Sequence, residues 1–182
     1  MSAATRYRQL PSSGRSIGFE LQMPGEVDVQ PVDGDIVVRC RERRDDGKTV
    51  GELEVAVFRA ALVIDRDGIL EDKVSTVADG VADQGARVLP AIPVELPGGA
   101  TGYRADVELT RRPLPYVYVF AIAPHDGVDS GLLVTIRSAT PEWAAADAIL
   151  KSLRILGRRG ATANDAHDAP AMPLPPLLGK RG

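Results

Sequence analysis

The first regular pattern in the chain is an alternation of apolar and polar positions that begins at Ser16. Its apolar positions are Ile17, Phe19, Leu21 and Met23. This period of two is typical of a β-strand with one buried face. Further strands are predicted at residues 27–32, 36–41, 53–57, 103–109, 116–123 and 132–136. The last two of these segments are the most apolar, so we place them at the centre of the sheet. Residues 87–96 contain two prolines and are therefore predicted to lie at a sheet edge.

Two segments have helical periodicity instead. Residues 68–86 carry apolar side chains three and four positions apart, with Asp67 as the predicted N-cap. Residues 141–156 form the second predicted helix, in which the Thr140 hydroxyl caps the first turn and Pro141 takes the first helical position. Gly157 is predicted to end that helix.

The order of these elements predicts the fold class. Strands precede and separate the helices without regular β-α-β alternation, which favours an α+β protein over a doubly wound parallel sheet. We expect a twisted antiparallel sheet of six to eight strands, covered by two amphipathic helices. We further expect a flexible lead-in over residues 1–15, a single domain over residues 16–157 and a proline-rich disordered tail over residues 158–182.

Composition and charge narrow the class of function. The 182 residues are 44% hydrophobic and 26% charged, and no apolar run approaches the ~20 residues that span a bilayer. The net charge of −3 gives no general attraction for nucleic acid. Because there is one cysteine and no secretory leader pattern, the cytoplasm is the predicted compartment.

One short motif resembles the nucleophile elbow of serine hydrolases. Residues 14–18 match G-x-S-x-G with Ser16 at the nucleophile position, and His125 is the only histidine of the predicted domain that could serve as a base. However, an elbow needs a strand before the serine and a helix after it, whereas here a loop precedes and a strand follows. A hydrolase that uses Ser16 and His125 is therefore an alternative, and no catalytic residue is assigned.

The loop that contains His125 also carries Asp126 and Asp129, which are oxygen ligands for a divalent cation. Their spacing matches no established metal motif, and turns favour aspartate for backbone reasons alone. Weak metal binding by this loop is the second alternative. We predict no metal site and no cofactor.

The remaining polar candidates have structural interpretations. Cys40 alternates with Ile36 and Val38, so we expect a buried free thiol. The strand carboxylates are predicted to be solvated charges and not an acid–base pair. They are Glu52, Glu54, Asp106 and Glu108.

Two segments are candidates for protein contact. Tyr116, Tyr118 and Phe120 share one face of a strand and would form either a docking surface or part of the core. In the tail, overlapping P-x-x-P patterns would offer a preformed polyproline ligand, or the segment is a plain disordered end. The tail residues concerned are Pro173, Pro175, Pro176 and Leu177.

The order of elements, with IGFELQMPGEV near the start, LPGGATGYRADVEL in the middle and TPEWAAADAILKSLRIL at the end, resembles the PsbP-like superfamily. That superfamily includes the extrinsic P protein of photosystem II, a Ran-binding nuclear-import factor, bacterial lipoproteins and chaperones of type VI secretion effectors. The resemblance implies an α/β sandwich that binds proteins without catalysis. We therefore expect an adaptor or chaperone-like module of the bacterial cytoplasm, whose partner is a secreted or assembled protein or a second copy of the chain.

Overall fold

The computed structural model describes residues 5–11, 17–23, 26–32, 35–96, 99–125 and 129–157. The elements are β1 (Thr5–Gln9), β2 (Ile17–Met23), β3 (Glu26–Val32), β4 (Asp35–Arg43), β5 (Thr49–Arg59), α1 (Arg66–Val81), β6 (Arg87–Val88), β7 (Ile92–Glu95), β8 (Thr101–Glu108), β9 (Tyr116–Ala123), β10 (Ser130–Ser138), α2 (Ala144–Ser152) and β11 (Arg154–Gly157). Every strand pairing is antiparallel. The α+β class is thus confirmed.

The larger sheet has eight strands in the order β3-β4-β5-β10-β9-β8-β6, with β7 also paired to β8. As predicted, β9 and β10 lie in its interior, where β10 is the middle strand of the path. Pro90 lies between the short strands β6 and β7 that form this edge, whereas Pro93 lies within β7, opposite Tyr103. β7 and β8 form a hairpin in which Glu95 lies opposite Thr101.

A second sheet of three strands was not predicted. β2 is its central strand, with β1 on one side and β11 on the other. The lead-in is therefore not irregular throughout, because Thr5–Gln9 pair with β2 from Thr5 opposite Met23 to Gln9 opposite Phe19. Contacts with β2 stabilise this polar segment, including a Tyr7–Phe19 ring pair with centroids 5.6 Å apart.

The two faces of the larger sheet bury separate cores. On one face, apolar residues of β4, β5, β9 and β10 pack against the second sheet and against α2. On the other face, α1 packs against β8 and β9. The helices therefore lie on opposite sides of the sheet, and α2 shares its layer with three strands. We predicted that two helices cover the sheet. Instead, α1 packs on one face, and α2 together with the second sheet packs on the other.

The ends of both helices differ from the predicted ends. Asp65, not Asp67, caps α1, since its Oδ1 accepts a hydrogen bond from the Gly68 amide at 3.0 Å, and α1 ends at Val81. α2 begins at Ala144, because tertiary contacts hold the segment before it. The Ala139 amide donates a hydrogen bond to the Val50 carbonyl. The Tyr118 hydroxyl donates a hydrogen bond to the Pro141 carbonyl at 2.6 Å. The residues after Leu153 pair with β2 instead of continuing the helix.

Within the described ranges, neither helix is long and apolar enough to cross a membrane.

Candidate functional site

The face of the larger sheet that carries α1 is only partly covered by this helix. α1 packs on β8 and β9, and its buried residues are Leu70, Val74 and Ala78. The same face of β4, β5 and β10 carries charged and polar side chains in place of a continuous apolar surface. We call this part, beyond the cover of α1, the open half-face.

Five charged residues on the open half-face form a cross-strand network that we call the charged ladder: Arg39, Arg41, Glu52, Glu54 and Arg137. The strand register places Arg39 opposite Glu54 and Arg41 opposite Glu52. Arg39 Nη2 lies 2.6 Å from Glu54 Oε2, and Arg41 Nε lies 2.7 Å from Glu52 Oε2. Opposite charges directly across a strand pair stabilise the pairing.

Arg137 is the unpaired member of the charged ladder. It lies directly opposite Glu52 on the other side of β5. However, one oxygen of Glu52 contacts Arg41 and the other lies 3.5 Å from Arg39 Nε. Arg137 therefore has no ion-pair or hydrogen-bond partner for its side chain among the described residues, although it is half-buried. A guanidinium in this position is available to an anionic ligand.

A cavity of about 920 Å³ lies at the end of the charged ladder that carries Arg41 and Arg137, and we call this cavity the basic groove. It is bounded by the last turn of α1, by the β4–β5 loop and by the loop after β8. Its charged lining is Arg41, Arg44, Lys48, Glu52, Arg112 and Arg137. Five cations against one carboxylate give this concave surface a positive charge, in contrast to the overall charge of −3.

Two further carboxylates lie at the rim of the basic groove. Asp46 Oδ2 is 3.9 Å from Lys48 Nζ, and Asp83 Oδ2 is 3.9 Å from Arg112 Nε. Both pairs are long, and the Lys48 and Arg112 side chains are 80% and 64% exposed. Exposed ion pairs of this kind contribute little to the stability of the protein, and they leave the cations accessible. Even with both rim acids counted, the groove keeps an excess of two positive charges.

The aromatic row was predicted to form either a docking surface or part of the core, and it lies in the core. Tyr118 and Phe120 are buried beneath the second sheet and α2, and Tyr116 is partly buried against the same core. In the folded chain, therefore, Tyr118 and Phe120 offer no surface to a partner. The remaining residues predicted for an interface (Pro173, Pro175, Pro176 and Leu177) lie outside the described residues.

Asp106 was predicted to be solvated and is instead buried. It is 2% exposed, and its carboxylate makes an ion pair with the equally buried Arg104. The register puts Asp106 on the face of β8 that packs under the second layer, where Arg104 also lies near the Tyr118 ring. Glu108 is exposed as predicted, whereas Glu52 and Glu54 are partly buried in the charged ladder.

The residues of the two chemical alternatives are not brought together by any described contact. Ser16 and Asp126 lie outside the described residues. His125 is exposed at the end of β9, where it lines a second cavity of about 720 Å³ together with the first turn of α1. Among the described residues, no group of three metal-ligating side chains converges. Both alternatives remain predictions.

In the second cavity the polar groups already have a structural role. Arg66 Nη2 donates to the Thr101 carbonyl at 2.8 Å, to the Thr101 hydroxyl at 2.7 Å and to the Ala123 carbonyl at 2.6 Å. These bonds fix the first turn of α1 to the ends of β8 and β9. This cavity therefore marks the attachment point of α1, and the open half-face lies elsewhere.

Cys40 is buried, as predicted, beside Val38. Burial raises the pKa of its thiol from the ordinary value of 9.0 to about 11, and the nearby carboxylates of Glu52 and Glu42 act in the same direction. The thiol is therefore protonated at neutral pH, which makes it a poor nucleophile.

No protein-family model, curated protein or solved structure matches this chain. Part of the ladder had a sequence signal, since R-x-R at residues 39–41 and E-x-E at residues 52–54 flank the turn between two strands. Arg137 had no such signal in the sequence, because the residues beside it depend on the order of strands in the sheet.

Proposed function

We propose that the chain is a non-catalytic protein-binding module, an adaptor or chaperone-like protein of the cytoplasm, whose binding surface is the open half-face with the adjoining basic groove. The observation that carries the proposal concerns the described residues: α1 covers only part of its sheet face, and the rest carries a positively charged groove and Arg137, which has no described side-chain partner. The resemblance to the PsbP-like superfamily, whose members mostly bind proteins, supports the same class of function.

The chemistry of the open half-face favours binding over catalysis. A general base needs a carboxylate or imidazole that is free to take a proton from a substrate. Here both oxygens of Glu52 lie against arginines, and Glu54 Oε2 accepts two hydrogen bonds from Arg39 at 2.6 and 3.0 Å. These carboxylates hold the arginines in place. The groups that remain available are cations, which recognise a partner through charge.

Site-specific photo-crosslinking in the native cells tests the proposal. A photoreactive amino acid at Thr135, on the open half-face, is expected to form covalent adducts with a discrete partner protein. The matched control is the same amino acid at Asp72, which is exposed on α1. Both variants must first retain the thermal unfolding midpoint of the unmodified chain.

Adducts at position 135 and none at position 72 support the proposal. An adduct with twice the mass of the chain identifies the partner as a second copy and supports the predicted homodimer. Equal labelling at both positions, or no adduct at position 135, overturns the proposal.

A further inference from the structure

Resting on the proposed function, we infer the chemistry of the partner: the basic groove binds an extended acidic segment of a protein, in which carboxylates alternate with apolar side chains. The segment would place its carboxylates against Arg137 and Arg112 and its apolar side chains on the groove lining.

Charge complementarity is the first argument. Arg137 is half-buried and has no partner among the described residues, because both oxygens of its cross-strand neighbour Glu52 are engaged by other arginines. The Arg44 side chain likewise has no ion-pair partner in the described part of the chain. An arginine presents a planar fork of donors that matches a carboxylate in two-point contact. A ligand with several carboxylates would thus satisfy cations that the fold leaves unsatisfied.

The apolar part of the lining is the second argument. Val50, Val81, Leu109 and Leu114 line the groove between the cations. A purely ionic ligand would leave this apolar surface in water, whereas a peptide with apolar side chains between its carboxylates would cover it. The volume of about 920 Å³ also lies in the range of about 300–1,000 Å³ that is common for ligand pockets. A short peptide segment suits both features.

The same lining argues against nucleic acid as the ligand. Proteins that bind single-stranded nucleic acid place aromatic side chains where successive bases can stack. None of the described residues that line the basic groove is aromatic. In addition, the carboxylates of Asp46 and Asp83 at the rim would repel a continuous phosphate backbone, whereas an extended peptide can place neutral residues beside them.

Fluorescence anisotropy with the full chain tests the inference. The probe is a labelled peptide of alternating glutamate and leucine, compared with one in which glutamine replaces every glutamate. We expect the glutamate peptide to bind, added salt to weaken it, and the glutamine peptide to bind at least about tenfold more weakly. Arg137→Gln should weaken the glutamate peptide by about tenfold, the effect of one lost charge-assisted hydrogen bond.

Arg59→Gln is the matched control, because Arg59 is exposed at the other end of β5 and its loss should leave the affinity unchanged. Arg112→Gln is a second groove variant, expected to weaken binding in the same direction as Arg137→Gln. Circular dichroism must show that all three variants are folded.

Equal binding of the two peptides, no binding of either, or equal effects of Arg137→Gln and Arg59→Gln would overturn the inference. So would a single-stranded oligonucleotide that displaces the peptide at a lower concentration than unlabelled peptide does. None of these results would alter photo-crosslinking at position 135, so a failed inference and a failed proposed function are distinguishable.

Discussion

Arg104 and Asp106, two positions apart on β8, form a two-point ion pair inside the protein. Arg104 Nε lies 2.6 Å from Asp106 Oδ1, and Arg104 Nη2 lies 2.7 Å from Oδ2. The guanidinium carbon is 5.7 Å from the centroid of the Tyr118 ring and 6.0 Å from that of Phe120. Because both charges are removed from water, each is tolerated only in the presence of the other.

Removal of one of the two charges should therefore lower the free energy of unfolding more than removal of both. Arg104→Met leaves a buried carboxylate without its main partner and should lower the free energy of unfolding by about 3–5 kcal/mol. The double variant Arg104→Met/Asp106→Leu should recover most of this loss, since no uncompensated charge remains. Urea denaturation of the three proteins measures both values. A double variant no more stable than the single one would contradict the prediction.

Gly51 provides a test of how the segment before α2 is anchored. A Cβ atom at Gly51 would collide with the Trp143 ring, whose Nε1 donates to Glu42. Gly51→Ala should displace the ring and lower the free energy of unfolding by about 1–3 kcal/mol, as overpacking does. Because Trp143 is the only tryptophan, its emission maximum reports the displacement directly.

The matched control is Gly80→Ala on α1, where an added Cβ meets nothing within 4 Å. This change should leave the emission unchanged and raise stability by about 0.4–1 kcal/mol, because alanine restricts the unfolded chain. If both variants moved the emission equally, the contact between Gly51 and Trp143 would not be what holds the ring.

The charged ladder predicts different changes in stability for two cross-strand neighbours, Glu52 and Arg137. Glu52→Gln removes the carboxylate shared by Arg41 and Arg39 and should lower the free energy of unfolding by about 0.5–1 kcal/mol. Arg137→Gln breaks no ion pair and should change it by less than about 0.5 kcal/mol. The difference should shrink in high salt. A larger loss for Arg137→Gln would show that Arg137 has a structural role.

The buried Cys40 thiol predicts a dependence of stability on pH. In the unfolded chain the thiol ionises near its ordinary pKa of 9.0, whereas in the folded protein the pKa is about 11. The unfolded state thus loses this proton first, so the contribution of the buried thiol is complete below pH 9 and is lost between pH 9 and about 11.

Thermal unfolding across this pH interval, compared with Cys40→Ala, isolates the effect. The alanine variant should lose less stability over the same interval, because other titrating groups are common to both proteins. In native buffer at pH 8, the thiol should also be unreactive toward an aromatic disulfide reagent until the protein unfolds. Rapid labelling of the folded chain would contradict its burial.

The sequence predicted the elements of this fold better than their environment. Alternation predicted β2, most strands of the larger sheet and the burial of Cys40, because the period of two depends only on the strand itself, but it missed β1 and β11. Asp106 looked like any solvated strand carboxylate, since no local pattern shows that a second layer covers that face of β8. The start of α2 was misplaced for a similar reason: Thr140 and Pro141 form a suitable cap, but contacts with β5 and β9 hold this segment.

The candidate site was predicted even less well. R-x-R and E-x-E on adjacent strands are visible in the sequence, but the unpaired Arg137 requires β10 to lie beside β5, which is a property of the topology. Likewise β1 has no apolar periodicity and becomes a strand only through its pairing with β2. Contacts between segments distant in sequence decide these features.

β2 also has a consequence for how the chain is made. Its two neighbours are β1, from the beginning of the chain, and β11, where Ile155 lies opposite Phe19. During synthesis, more than a hundred residues are translated between β2 and its second neighbour β11. Until β11 has been made, one edge of β2 lacks its hydrogen-bonding partner, so the nascent chain exposes unpaired backbone groups. The last of the described strands in chain order is thus the one that completes the sheet of β1 and β2.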